Sequence, residues 1–489
     1  MSKRCSFNHA SLLSPEAGER RASARRLDPL LQLGVVLAAL AIAAAGASPR
    51  IGGWNDASRL ATVECLVDHH TLAIDQSTWF QDTGDKIRPR PDGPFYSDKP
   101  PTMALLMAVP YLVLHDGFGF RAAGHPEVFC YLMTLLSSGL AYMAAVWCIY
   151  RVGRVVGLAP GWSAALTASF GIATVALTYS RNVNSHLPCL AAAAAVLLNL
   201  AALDRPHGFI VGRLLLIGAL AAFVYVLEQP IGGLLLVAAA VAAAVRLRRP
   251  TAVVWIALAA LPWAAVHHLV TWAYAGTFGP ANVNADFFRY EGSTFDESNL
   301  TGRWNHASIG AFAVYALGML FGERGFLLSN PTLLLAFVAG WHGFAAQRGR
   351  RNSATPEPGR KSMAHTETVC FGLWCLAVWL LYAALSTNDS GQCCTIRWFL
   401  PLLAPAYFWL ALLLRDRPQY RIDFVLLSGW GAVLAVYFWI GGPFTAYSAS
   451  YNRFFPYFFW PVAACALLTW AARRALAATG AERRQEQRR

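Results

Sequence analysis

Residues 92–115 read DGPFYSDKPPTMALLMAVPYLVLH. An acid, a lysine and two prolines stand directly before an apolar run. Whether that run crosses a membrane decides the side on which every later loop falls. As a helix, the run from 101 to 114 rises roughly 21 Å, against a hydrocarbon core of roughly 30 Å. Pro110 interrupts it as well. It reads as a helix lying along the outer membrane interface, with Pro100 and Pro101 serving as its start.

The surrounding chain supports that reading. Of its 489 residues, 56% are hydrophobic and 14% charged, and the apolar residues come in blocks of about 18 to 24, long enough to span the core. Such a composition suits an all-α polytopic membrane protein and excludes a soluble protein of large domains. Spans are expected at 30–48, 127–150, 160–179, 187–203, 211–227, 230–246, 251–274, 325–346, 368–386, 397–414, 422–441 and 454–472, twelve in all. With the N-terminus inside, RVGR (151–154), DRPHGFIVGR (204–213), RLRRP (246–250), RGRRNSATPEPGRK (348–361), RDRPQYR (415–421) and the arginine-rich tail all lie on one side. Cytoplasmic loops carry such an excess of Lys and Arg. Counting 101–114 as a span would move the later clusters outside.

The division expected is a basic cytoplasmic tail (1–29), a transmembrane domain (30–475) with external loops 49–126 and 275–324, and a basic cytoplasmic tail (476–489). The first apolar block ends AAAGAS, but its leading region is long and the block is of full length, so a retained helix is expected rather than a cleaved signal. The net charge of +13 follows from the basic loops. It does not call for nucleic acid, because no basic, aromatic-interleaved domain remains once the spans are removed.

The first external loop is acidic, and Leu60, Val63, Leu66 and Val67 give one apolar face to a second interfacial helix, with Asp56 just before its start. A similar short apolar segment, 309–320, is expected along the same surface. The ten cysteines form no CxxC, so neither a zinc site nor a redox motif is indicated. Away from the span ends only the pair His267–His268 and His342 interrupt the apolar runs, whereas an ion-coupled transporter keeps ionisable groups near the midplane. Asp56, Asp98, Lys99, Arg181, His186, Glu228 and Arg397 gather instead at the outer face. That is the layout of a site at the interface. The tryptophans and tyrosines near span ends are explained by an aromatic belt.

WNDASRLATVECLVDHHTLAID (54–75), followed by YSDKPP (96–101), resembles the first external loop of the GT-C glycosyltransferases. These include the protein mannosyltransferases, the lipid A aminoarabinose transferase and the RgtA/B/C/D-like bacterial proteins. YSRNVNSH (179–186), GERGFLLSNP (322–331) and IRWFLPLLAP (396–405) are weaker echoes. The resemblance implies a membrane glycosyltransferase that takes a sugar from a polyprenyl-phosphate donor. The acceptor would be a lipid, glycan or protein at the outer face of a bacterial inner membrane, and inversion would proceed by direct displacement.

Such chemistry needs a base for the acceptor proton and positive charge for the leaving phosphate. On the resemblance, Asp56 is the base, though Asp equally suits a helix N-cap. Lys99 approaches the donor phosphate, though a lysine here also reads as a snorkelling side chain. Arg181 and Arg397 are further candidates for the phosphate, each with a structural or anchoring alternative. Asp98, His186 and Glu228 are candidate supporting groups, and Glu228 reads as either a site carboxylate or a helix-end acid. Asp98 matches an acid that binds a divalent metal ion in some relatives, with His267, His268, His306 or no side chain at all as the second ligand. Where relatives often have a further acid, this chain has Asn182 and Asn184. The competing functions are a lipid or oligosaccharide transporter or flippase, and a catalytically inactive protein of the same fold.

Overall fold

The computed structural model describes residues 15–203, 209–350, 360–444 and scattered positions between 464 and 475. The first half carries helices α1 (Pro15–Gly46), α2 (Trp54–Asp68), α3 (Thr102–Phe118), α4 (Pro126–Thr134), α5 (Leu140–Val156), α6 (Pro160–Ile172), α7 (Ala176–Tyr179) and α8 (His186–Ala201). The second half carries α9 (Ile210–Leu227), α10 (Gln229–Leu247), α11 (Thr251–Ala275), α12 (Ile309–Phe321), α13 (Leu333–Arg350), α14 (Arg360–Leu385), α15 (Leu403–Asp416) and α16 (Arg421–Gly441). A two-stranded antiparallel ribbon, β1 (Lys86–Ile87) with β2 (Tyr96–Ser97), lies in the first loop. Most of the expected span 454–472, the tail 476–489 and residues 1–14 lie outside the described residues.

The chain is an all-α multi-pass membrane protein: eight helices among the described residues are long and apolar enough to cross a bilayer. Among the described residues, three of the expected spans depart from a full-length crossing helix, each for a local reason. The block expected at 160–179 is broken after Ile172, where Thr174 Oγ1 turns back to donate to Phe170 O (2.7 Å) and the Val175 N–H donates to Asn330 Oδ1 (3.0 Å). Side-chain partners of this kind compete with the helix ladder. The block expected at 325–346 becomes helical only at Leu333, and α8 has 16 residues. α8 is the central post. It packs against α5, α9, α15 and the 3₁₀ turn at Arg397–Leu402, and the small residues of its run AAAAA (191–195) allow that close approach.

At the end expected to be cytoplasmic, Asp28 accepts from Tyr150 Oη (2.6 Å) and Arg154 Nε (2.8 Å), Arg246 pairs with Glu367, and Arg415 donates to Val156 O. At the other end the loops around 49–126, 276–308 and 386–402 pack together. Gly276, with φ of 69°, closes α11 in a left-handed turn that an L side chain resists.

α3 runs straight through Pro110, so that proline does not interrupt it, and it reaches 17 residues, about 25 Å. Val109, Val113 and Phe118 leave its outer face exposed and apolar, while Met103, Met107 and Tyr111 pack inward. A helix lying in the membrane surface presents such a face. α12 likewise exposes Ile309, Val314 and Leu317. α2 departs from its expected form. Rather than one buried face it is buried on nearly all sides, because its polar side chains have partners. Ser58 Oγ meets Ser97 Oγ at 2.6 Å, and Glu64 accepts from Ser77 Oγ, the Thr78 N–H and Thr78 Oγ1.

Candidate active site

The ribbon pairs Lys86 with Ser97, which sets Asp85 and Asp98 side by side at its end, and Lys99 follows. Lys99 Nζ lies 2.8 Å from Asp85 Oδ2 and 2.8 Å from Asp98 Oδ2. The other oxygen of Asp98, Oδ1, is buried without a hydrogen-bond partner. Burial pushes the Asp98 carboxyl above its ordinary pKa, although Lys99 pulls the other way.

These groups form one wall of a cavity of about 510 Å³. The N-terminal turns of α2 contribute Trp54, Asn55 and Arg59, the α8 start contributes His186, and the corner between α9 and α10 contributes Glu228 and Gln229. His267, Thr271 and Tyr274 of α11 add a further wall, as do Phe288 and Phe295 of the outer loop and Tyr382, Asn388, Arg397 and Trp398. Arg59 is 2% exposed. Its guanidinium donates to Asn55 O, Asn55 Oδ1 and Ser185 Oγ, and its Nε–H has no partner. The Arg397 guanidinium lies over the Phe444 ring at 5.8 Å, and its Nε–H is also shielded and unpartnered. Asn388 donates to Asn299 O, so both asparagines of the two Asn-x-Ser/Thr sequences in this region build the wall.

Lys99, Asp98, His186, Glu228 and Arg397 are therefore brought together. Two expected site residues are not. Asp56 is 1% exposed and outside the cavity wall. Its Oδ2 accepts from the Gly52 N–H (2.7 Å) and from Asn182 Nδ2 (3.0 Å), and its Oδ1 from the Gly53 N–H (2.9 Å) and Ala57 N–H (3.2 Å). It fastens the start of α2 from inside the first turn, a variant of the capping role. Burial raises its pKa to about 6, against the opposing hydrogen bonds. Arg181 turns away as well, donating to Trp439 O and Ile440 O beside the Trp439 ring.

Sequence reading missed Arg59 and Asp85. Arg59 is legible as one helical turn beyond Asn55, whereas Asp85 reaches the site only through strand pairing. The side chains around Asp98 do not form a ready ligand set for a divalent metal ion. Among the described residues no three His, Cys, Asp or Glu side chains gather. Asp98 is tied to an ammonium, and His267, His268 and His306 bind Gln229, Tyr225 with Phe278 O, and Ala383 O respectively.

No family model matches the chain, and no curated protein does. Among solved structures, ArnT from Cupriavidus metallidurans bound to undecaprenyl phosphate is similar at 14% identity and a TM-score of 0.46, over 90% of this chain and 75% of that one. Its apo state gives 14% and 0.47, over 84% and 75%. The apo oligosaccharyltransferase of Archaeoglobus fulgidus gives 12% and 0.46, over 85% of this chain and 56% of that one. These are distant likenesses of chain path, and the role of each residue rests on the geometry above.

Proposed function

We propose that this chain is a GT-C-type membrane glycosyltransferase. It moves a sugar from a polyprenyl-phosphate donor to a lipid, glycan or protein acceptor at the outer face of a bacterial plasma membrane. The observation that carries the reading is the pair Arg59 and Arg397. Both guanidiniums stand in the cavity wall without an ion pair among the described residues, and each keeps a shielded Nε–H with no acceptor. Cations withdrawn from water without a counter-charge are costly, and a bound phosphate supplies both that charge and the missing oxygens. When the glycosyl bond breaks, negative charge grows on that phosphate, and fixed cations stabilise it where it develops. Lys99 adds a third cation once the phosphate competes with Asp85 and Asp98 for its ammonium. The aromatic rings of Trp54, Tyr274, Phe288 and Phe295 offer faces for a sugar.

A transporter reading is disfavoured by the same placement, since the cavity's charged groups stand in the outer loops, on α2 and at helix ends rather than along the membrane helices. The test is mass analysis of envelope lipids and glycans from a deletion strain, complemented with the parent or with Lys99→Met. The expected result is one sugar modification that disappears on deletion, returns with the parent and stays absent with the variant. An unchanged envelope in the deletion strain would sink the reading.

A further inference from the structure

We propose that Glu228 is the carboxylate that accepts the acceptor's proton during transfer, an inference that rests on the glycosyl-transfer reading above. α9 ends at Leu227 and α10 begins at Gln229, so Glu228 alone forms the corner between two membrane helices. The corner is built for tight closure. A Cβ added at Gly232 would come 2.0 Å from the Tyr225 backbone nitrogen, so only glycine lets the second helix pass.

Glu228 occupies the N-cap position of α10, yet its side chain makes no capping bond. A helix-end acid would do so. Its carboxylate instead reaches α8, accepting from Ser185 Oγ at 2.6 Å, with His186 Nδ1 3.7 Å away. Ser185 in turn accepts from Arg59 Nη2 at 3.0 Å, so its hydroxyl proton is directed at Glu228. The relay Arg59–Ser185–Glu228 links a phosphate-facing cation to a held carboxylate.

The other acids are occupied. Asp56 is satisfied by four donors behind the wall, and Asp85 and Asp98 share the Lys99 ammonium. Glu228 makes no ion pair with Lys or Arg among the described residues, though the charges of Arg59 and Arg397 reach it. Its side chain, 18% exposed, is more open than those of Asp85 (10%) and Asp98 (7%). A base needs a free lone pair within reach of the attacking hydroxyl. In the step, the acceptor oxygen bonds to the sugar's anomeric carbon and the carbon–oxygen bond to phosphate breaks. Its electron pair leaves with the polyprenyl phosphate, and the hydroxyl proton passes to Glu228, which later releases it to water. No further reactant is required.

Glu228→Gln keeps the size and an oxygen for Ser185, so the site is retained while the base is lost. Transfer is expected to fall by about 100-fold or more, the low end of what a positioned carboxylate contributes, with undecaprenyl phosphate binding at the parental level. The acid limb of the parent's pH–rate profile should vanish in the variant's residual activity. An active parent with a near-parental Glu228→Gln overturns the base assignment and leaves the transferase reading standing. Loss of lipid-phosphate binding together with transfer also overturns it, because Glu228 would then be structural. A parent inactive with every polyprenyl-phosphate sugar overturns both.

Discussion

The ammonium of Lys99 lies 2.8 Å from Asp85 Oδ2, across the end of a ribbon only two residues long on each strand. Asp98 holds the same nitrogen, so one cation bridges two neighbouring carboxylates and balances one of their two charges. Without it, two like charges would face the cavity together.

Lys99→Met should therefore weaken undecaprenyl phosphate binding roughly ten- to a hundredfold, the scale of a lost charge-assisted contact. Asp85→Asn should strengthen it severalfold by freeing the ammonium. Titration in lipid nanodiscs reads both. Equal affinity in Lys99→Met and the parent would return Lys99 to an interface anchor.

Asp56 should behave as a structural acid. Its pKa rises from 3.8 to about 6 on folding because it is buried. The folded state therefore holds that proton more tightly than the unfolded chain does. Its contribution is fully present below pH 3.8 and is lost as the pH rises through about 6. Asp56→Asn should flatten this part of the stability profile between those limits. Asp56→Ala, which strands buried N–H donors, should destabilise by about 1–3 kcal/mol. Thermal unfolding across pH measures both. A Asp56→Asn protein that is fully stable but transfers a hundredfold more slowly would make Asp56 the base after all.

Arg181 and Arg397 should separate. Arg181→Met should leave lipid-phosphate affinity within about twofold of the parent, since its guanidinium is spent on Trp439 O and Ile440 O. Arg397→Met should lose about tenfold or more, the lower bound for a charged contact. Tenfold weakening by Arg181→Met would put that arginine in the site.

The orientation is testable by cysteine labelling. A cysteine at position 92 should react with an impermeant reagent from outside, and one at position 356 only from inside. Labelling of position 92 solely from the cytoplasmic side would place the cavity in the wrong compartment and remove the polyprenyl donor reading with it.

Much was legible in the linear chain, because a bilayer makes composition decisive. Long apolar blocks must be helices there, since no water satisfies an exposed backbone, and basic clusters mark one side. The helix after Lys99 is shorter than most of the spans, as its residue count implied, but it reaches 17 residues because Pro110 does not end it. The gathering of Lys99, Asp98, His186, Glu228 and Arg397 was legible because each stands at a span end or in a loop. Where side chains compete with backbone, composition was silent. Thr174 and Asn330 break the block at 160–179, and the hydroxyl and carboxylate partners of α2 bury a helix whose apolar spacing implied one covered face.

Only tertiary structure decided which of these groups face each other. Asp56 and Glu228 were alike in the sequence, each an acid beside a helix start. Packing turned the first inward, where Gly52, Gly53, Ala57 and Asn182 saturate it, and a single-residue corner turned the second into the cavity. Asp85 joined Lys99 through strand register, and Arg59 joined Glu228 through Ser185. Hydropathy and charge act on a segment's environment and so can be read along the chain. Hydrogen bonds join particular atoms of distant segments, and their pairing exists only once the helices have packed.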